Sequence, residues 1–254
     1  TLHSRGSLRV VRESEALSSS RKTLRVFRTT SLTSAPSVLA SSPERLRRSG
    51  WPHESFALVD AGVRVAYLAL SIHQDRRLLS GLEPLETGEL FDIGTGGGLP
   101  GLPVAIARPE LQVTLLEATG KKVRCLEHFI AELGLTNARA LQQRAEVLGH
   151  DRGHRGQYDV AVSRAVGQMS AVLEYSLPLV KEGGRVLAMK GPKLEQELEA
   201  AGDALDVLGA GDLQVVDAYP AGFENDLVIA SIVKERPTPV EYPRGAGQMK
   251  GKPL

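Results

Sequence analysis

The residues with the most chemistry to offer run Phe91-Asp92-Ile93-Gly94-Thr95-Gly96-Gly97-Gly98-Leu99-Pro100-Gly101. An apolar run that reads as a strand ends in four glycines within five residues and then opens a helix. Without side chains, Gly94, Gly96 and Gly98 let the backbone turn sharply and let a ligand come close to the peptide groups. Glu117 follows Gly94 by 23 residues, at the end of the next expected strand. A carboxylate there can accept both ribose hydroxyls of an adenosine, which suits NAD and S-adenosylmethionine alike. Three details favour the methyl donor. Asp92 puts a carboxylate beside the loop, suited to the ammonium and sulfonium end of that donor and unsuited to a pyrophosphate. Pro100 removes an amide where a dinucleotide phosphate would be held. Gly183-Gly184-Arg185-Val186 ahead of a later strand is frequent in methyltransferases. The chemistry expected is methyl transfer, with an NAD-dependent oxidoreductase as the alternative.

Ala145-Glu146, just after the third strand, could meet an adenine, Glu146 accepting its exocyclic amine; a solvated loop charge is the other reading. The single cysteine, Cys125, excludes an internal disulfide and a paired-cysteine zinc site, and it reads as a small core residue. The histidines show no metal spacing, and no metal is expected.

These residues need a sheet to hold them at one edge. Strands are expected at Glu89 to Ile93, Gln112 to Leu116, Ala138 to Gln142, Tyr158 to Ser163 and Arg185 to Met189, and then at Leu213 to Tyr219 and Leu227 to Val233. Helices are expected at Leu102 to Arg108, Lys121 to Leu133 (closed by Gly134), Met169 to Val180 and Leu194 to Leu208. Strand and helix in regular turn predict an α/β, doubly wound, Rossmann-like sheet, mostly parallel, with the last two strands antiparallel. The predicted organisation is a basic leader over residues 1–50, a helical lead-in over 51–85, the α/β domain over 86–235 and a basic C-terminal tail over 236–254.

The formal charge of +1 over 254 residues hides an asymmetry. Residues 1–50 hold 10 Lys or Arg against 3 Glu, with 12 Ser and 5 Thr, whereas the remainder holds 21 basic against 27 acidic residues. The first segment cannot fold alone and has the composition of an organelle transit peptide; a disordered basic leader is the other reading. No uncharged apolar run approaches the roughly 20 residues of a membrane helix.

Six motifs carry a resemblance. They are Gly94-Thr95-Gly96-Gly97-Gly98-Leu99-Pro100-Gly101, Glu117-Ala118-Thr119-Gly120-Lys121-Lys122, Arg144-Ala145-Glu146, Ser163-Arg164-Ala165-Val166, Lys190-Gly191 and the closing Tyr242-Pro243-Arg244-x-Ala246-Gly247. In order and spacing they resemble the glucose-inhibited division protein B family, the guanine-N7 methyltransferases of small-subunit ribosomal RNA, over about Leu90 to Leu254. The resemblance implies S-adenosylmethionine as donor and a guanine in the decoding-region loop of 16S-type RNA, free or in an assembling small subunit, as acceptor. Gly94, Leu99, Ala145, Glu146 and Arg164 match the family's donor-binding positions. His150-Asp151 and the segment Tyr158 to Val166 look most like the plastid and cyanobacterial branch, which with residues 1–50 implies a plastid, or a cytoplasmic location if those residues are no transit peptide. The family's Asn-Leu-Thr and His-x-x-Asp-Ser-Leu elements upstream of the glycine loop are not found here, so a non-catalytic RNA-binding or assembly factor on the same fold is a further alternative.

Guanine N7 has a lone pair and no proton, so its methylation needs no obligatory general base. Arg164 is the candidate for holding the donor or the guanine edge through O6, and Lys190, ending the fifth strand, for touching RNA. Lys121, Lys122, Arg124, Arg244, Lys250 and Lys252 are candidates for neutralising phosphates. A monomer is expected.

Overall fold

The computed structural model describes residues 78, 82, 85–218 and 227–254. The leader and nearly all of the predicted helical lead-in lie outside the described residues. The elements are β1 (Gly88–Ile93), α1 (Gly101–Ala107), β2 (Leu111–Glu117), α2 (Gly120–Glu132), β3 (Ala138–Gln142), α3 (Ala145–Leu148), β4 (Tyr158–Arg164), α4 (Met169–Ser176), β5 (Val180–Lys190), α5 (Leu194–Ala200), α6 (Gly202–Val207), β6 (Ala210–Asp217), β7 (Val228–Lys234) and α7 (Ala246–Gly251). They build one seven-stranded sheet in the order β3-β2-β1-β4-β5-β7-β6. The pairings among β1 to β5 are parallel, and β7 is antiparallel to both β5 and β6.

Alternation along the strands explains why both faces are covered. Phe91 and Ile93 of β1 join Ala161, Val186, Ala188 and Ile232 in one core, closed by Met169, Leu173, Leu198 and Leu205 of α4 to α6. Leu90 joins Val113, Leu115, Val160, Val162 and Leu187 in the other, closed by Leu102 and Leu126 of α1 and α2 and by Leu78 and Leu82. Consecutive apolar residues in central strands therefore serve two layers, as a parallel sheet requires. The chain moves outward through β1, β2 and β3 and then returns to place β4 on the other side of β1. This reversal makes the carboxyl ends of β1 and β4 a topological switch point, where ligands of open α/β sheets bind.

Several boundaries differ from expectation. The helix predicted to reach Val180 ends at Ser176, ahead of Pro178, and β5 begins at Val180 and runs through Gly183-Gly184. The glycine pair thus lies inside the strand, where the register with β4 shifts; a Cβ on Gly184 would stand 2.5 Å from the Asp159 carbonyl oxygen. The helix predicted over Leu194 to Leu208 breaks between Ala200 and Gly202 into α5 and α6. The short helices α3 and α7 carry too few residues for periodicity to reveal.

The predicted tail is part of the domain. Met249 and Thr238 are buried, and the Lys234 ammonium at the end of β7 donates to Leu177 O and to Thr238 Oγ1 at 2.8 Å. Burial, with help from the charge of Arg155, pushes the Lys234 amine down from its ordinary value of 10.5 to about 8, against the opposing pull of Glu182. Below pH 8 the amine is charged in both states and burial opposes folding in full. Between pH 8 and 10.5 the unfolded chain binds the extra proton, so stability rises with pH, by at most about 1.4 kcal/mol per unit. Urea unfolding at pH 7.5 and 9.5 should show this rise in the native protein relative to Lys234→Met; equal pH dependence in the two would contradict it. Among the described residues no helix is long and apolar enough to cross a membrane.

Candidate active site

The glycine loop leaves β1 at the switch point and is held from inside. Asp92 is fully buried, and its Oδ2 accepts from Thr95 Oγ1 at 2.6 Å and from the Gly101 amide at 2.8 Å. This corrects the expectation that Asp92 faces the ammonium end of a donor: the carboxylate shapes the loop from behind. The Thr95 amide donates to Leu116 O at 3.0 Å, which fastens the loop to the end of β2, and the Gly98 and Leu99 amides close a turn onto Thr95 O.

The glycines have separate duties. Gly94, Gly96 and Gly98 all have positive φ, of 66°, 58° and 96°. Among the described residues a Cβ on Gly96 would meet nothing nearer than Gly94 O at 3.9 Å, so that side has room for a ligand. A Cβ on Gly98 would collide with Leu102 and stand 3.2 Å from Leu126, so that glycine serves helix packing instead of the ligand approach expected of it. Gly101 is similarly enclosed: a Cβ there would stand 2.2 Å from Leu115 and 2.7 Å from Asp92 Oδ2. Leu99 is half-buried and Pro100 is the N-cap of α1.

The start of α1 is closed to a pyrophosphate. Pro100 and Pro103 have no amide hydrogen, the Gly101 amide is held by Asp92, and the Leu102 amide donates to Gly98 O at 2.8 Å. Phosphates in dinucleotide folds rest on free amides at this position. The loop therefore lacks the feature that an NAD reading requires, and keeps an open side that a nucleoside without phosphates fits.

Glu117 ends β2 beside that loop and is 7% exposed. Its Oε1 accepts from the Thr119 amide at 2.8 Å and its Oε2 lies 3.4 Å from Lys122 Nζ. The amide aims the carboxylate, and carboxylate oxygens retain lone pairs for hydroxyl donors. Lys122, expected on RNA phosphates, instead lies against this acid. One strand further, Ala145 and Glu146 open α3; Ala145 is buried, and Glu146 is largely buried with Arg144 at 3.7 Å. Neither the solvated nor the adenine-facing reading of Glu146 anticipates its neighbour Tyr175 on α4. Burial first, then the charges of Glu146 and Glu174, raise the Tyr175 phenol above its ordinary value, which keeps it a protonated donor.

Arg164 ends β4 on the other side of β1, half-buried, and its guanidinium has no hydrogen-bond or ion-pair partner among the described residues. The next residue, Ala165, has φ 55°, a left-handed backbone at a non-glycine position, and such conformations persist where surrounding structure holds them. The following Val166 packs against Gly94, 3.2 Å from where a Cβ would stand, joining this turn to the glycine loop. Lys190 is not available to RNA or substrate. It is buried, and its ammonium donates to Gly167 O and pairs with Glu197 of α5. The catalytic and RNA-touching roles expected of Lys190 are replaced by support of the Arg164 turn.

The basic candidates divide. Lys121, Arg124, Lys250 and Lys252 are exposed. Arg244 is withdrawn from solvent: its Nε and Nη2 bind the two oxygens of buried Glu174, both at 2.8 Å, and its backbone amide donates to the same carboxylate at 2.7 Å. Its fork is occupied, which corrects the expectation that it binds phosphate. Glu174 and Arg155 went unnoticed in the sequence because each is an isolated polar residue with partners in distant segments, and Thr95 was read only as part of the glycine loop.

The sheet order, the amide-poor start of α1 and the acid at the tip of β2 define a class: a Rossmann-like, S-adenosylmethionine-dependent methyltransferase. Within that class the chain belongs to the family described as GidB: rRNA small subunit methyltransferase G, whose family model matches residues 76–222. A ribosomal RNA small subunit methyltransferase G from Roseiflexus castenholzii is 44% identical over 165 residues, covering 65% of this chain and 70% of the relative. One of the same name from Moorella thermoacetica is 41% identical over 177 residues, covering 70% and 74%. Among solved structures, a putative S-adenosyl-L-methionine-dependent methyltransferase from Methanococcus maripaludis matches with TM-score 0.51 at 15% identity, over 68% of this chain and 89% of that one. The CurJ carbon methyltransferase matches with TM-score 0.52 at 11% identity, over 65% and 54%. These two show likeness of fold.

Proposed function

We propose that the protein methylates N7 of a guanine in small-subunit ribosomal RNA. The observation that carries the reading is the open side of Gly96 between the Glu117 carboxylate and the Arg164 turn, at the switch point of a methyltransferase sheet. S-adenosylmethionine, when bound, supplies an electrophilic methyl group on a sulfonium. Glu117 would hold its ribose, the Gly94–Gly96 backbone its amino-acid end, and Ala145 with Glu146 its adenine.

The chain's own task is orientation. Guanine N7 carries no proton to remove, and holding two reactants in line can contribute roughly 7–11 kcal/mol. Arg164 has the charge and position to grip guanine O6, a phosphate or the donor's carboxylate; pairing with N7 would block the nucleophile. The rigidity of its turn, held by Val166 against Gly94 and by Lys190 on Gly167, keeps that cation in place. Lys121, Arg124, Lys250 and Lys252 supply positive charge for RNA phosphates.

The experiment is direct. Purified protein, small-subunit RNA or particles and donor labelled with tritium in the methyl group should place label in the RNA, and reduction followed by strand cleavage should break the chain at one guanine. Label without such cleavage would overturn the N7 assignment. No label on either substrate, with RNA still bound, would favour a non-catalytic assembly factor.

A further inference from the structure

The segment after β7 starts at the edge of the sheet opposite the glycine loop, beside the first residues of β4 and β5, and one arginine ties it to the far end of α3. Arg155, in the loop between α3 and β4, donates through Nη1 to Gly149 O at 2.6 Å and to Tyr242 O at 2.7 Å. Through Nη2 it donates to Thr238 O at 2.8 Å and Pro239 O at 2.9 Å. Gly149 is the C-cap of α3, and the other three carbonyls belong to the returning segment. A planar fork with fixed donor directions can serve four carbonyls at once in a way an ammonium cannot.

Two further contacts bind the same two parts, and others hold the segment to α4 and to the core. His150 Nε2 lies 2.7 Å from Pro243 O. The Pro243 ring rests on Gly149 so closely that a Cβ there would stand 2.5 Å from its Cδ and 2.6 Å from its Cγ. Arg244 is locked to Glu174 of α4, and Tyr242 and Leu254 pack on the core that contains Ala145 and Leu148. The four-residue α3 makes few backbone bonds of its own, so its place is set by what abuts it.

We infer that Arg155 is a positioning residue for methyl-donor binding: by clamping residues 238–243 onto the end of α3, it sets Ala145 and Glu146 against the adenine. The inference rests on the reading of α3 as the adenine side of the site. Arg155 touches no donor; it acts through Gly149 and the returning segment.

Calorimetry with S-adenosylmethionine and with methylthioadenosine, which keeps adenine and ribose and lacks the amino-acid end, tests it. Arg155→Met should weaken both by the same factor, about tenfold, measured below its own melting temperature. Gly149→Ala, which pushes Pro243 away without removing a charge, should repeat the pattern. Unchanged affinities together with a lowered melting temperature would overturn the inference and leave Arg155 merely structural. Should the variants fail to fold, hydrogen exchange of the native protein decides: saturating S-adenosylmethionine should raise protection in residues 145–149 and 238–243 together, and protection of the first without the second would overturn it. Failure of the native protein to bind either compound would bring down the proposed function itself; native binding with unmoved variants removes this inference alone.

Discussion

Gly96→Val should lower the affinity for S-adenosylmethionine by at least about a hundredfold, equivalent to about 2.7 kcal/mol. Gly96 holds φ 58°, and its missing Cβ points into space with no atom of the described residues nearer than 3.9 Å. A branched side chain there would fill the ligand's volume, and the left-handed backbone would cost a further 1–2 kcal/mol or so. The informative partner is Gly98→Ala, whose Cβ would strike Leu102 within the core. That change should cost roughly 1–3 kcal/mol of stability through overpacking. Titration calorimetry and urea unfolding on both variants separate the two duties. A Gly96→Val protein that binds the donor normally would contradict the placement of the site.

Glu174→Ala should be the most destabilising single change outside the two apolar cores, at roughly 3 kcal/mol. Glu174 is 1% exposed and accepts three hydrogen bonds from Arg244, one from the backbone and two from the guanidinium. Removing one member of a buried pair leaves the other charge without compensation, and such losses run to about 3–5 kcal/mol. The Arg244 side chain is 18% exposed, so water relieves part of the cost and the lower end applies. In urea the midpoint should fall by roughly 1–3 M for ordinary denaturant sensitivities. A loss below about 1 kcal/mol would mean that the pair contributes little and that Arg244 is free for other partners.

The framework of the sheet was legible because its signals are local. The run Phe91 to Gly101 announces a strand, a tight turn and a helix within a dozen residues, and Glu117 sits where the next strand must end. The observed strands β1 to β4 match their predicted spans within a residue or so at each end. Misreadings came where tertiary contact overrides local pattern. Gly183-Gly184 reads as lying ahead of a strand, yet close approach of the Asp159 backbone requires glycine inside the strand. The apolar periodicity of Leu194 to Leu208 continues across Gly202, and only packing of α5 and α6 against α4 reveals the break.

Side-chain direction was the least legible property. Asp92, Lys190 and Arg244 have residue types and positions that invite ligand contact, and all three are held by bonds to their own chain. Arg155 attracted no notice because the four carbonyls that explain it lie 6, 83, 84 and 87 residues away.

By itself the sequence determined the alternation of strand and helix, the place of the glycine loop, the acid that answers it and the family resemblance, because each depends on residues close together or in fixed order. Tertiary structure alone decided which glycines face open space and which face leucines, which cations remain available, and that the last residues return to brace α3. Those outcomes depend on burial: whether a polar group meets water, a ligand or a partner is set by chain segments that become neighbours only when the sheet closes over both its faces.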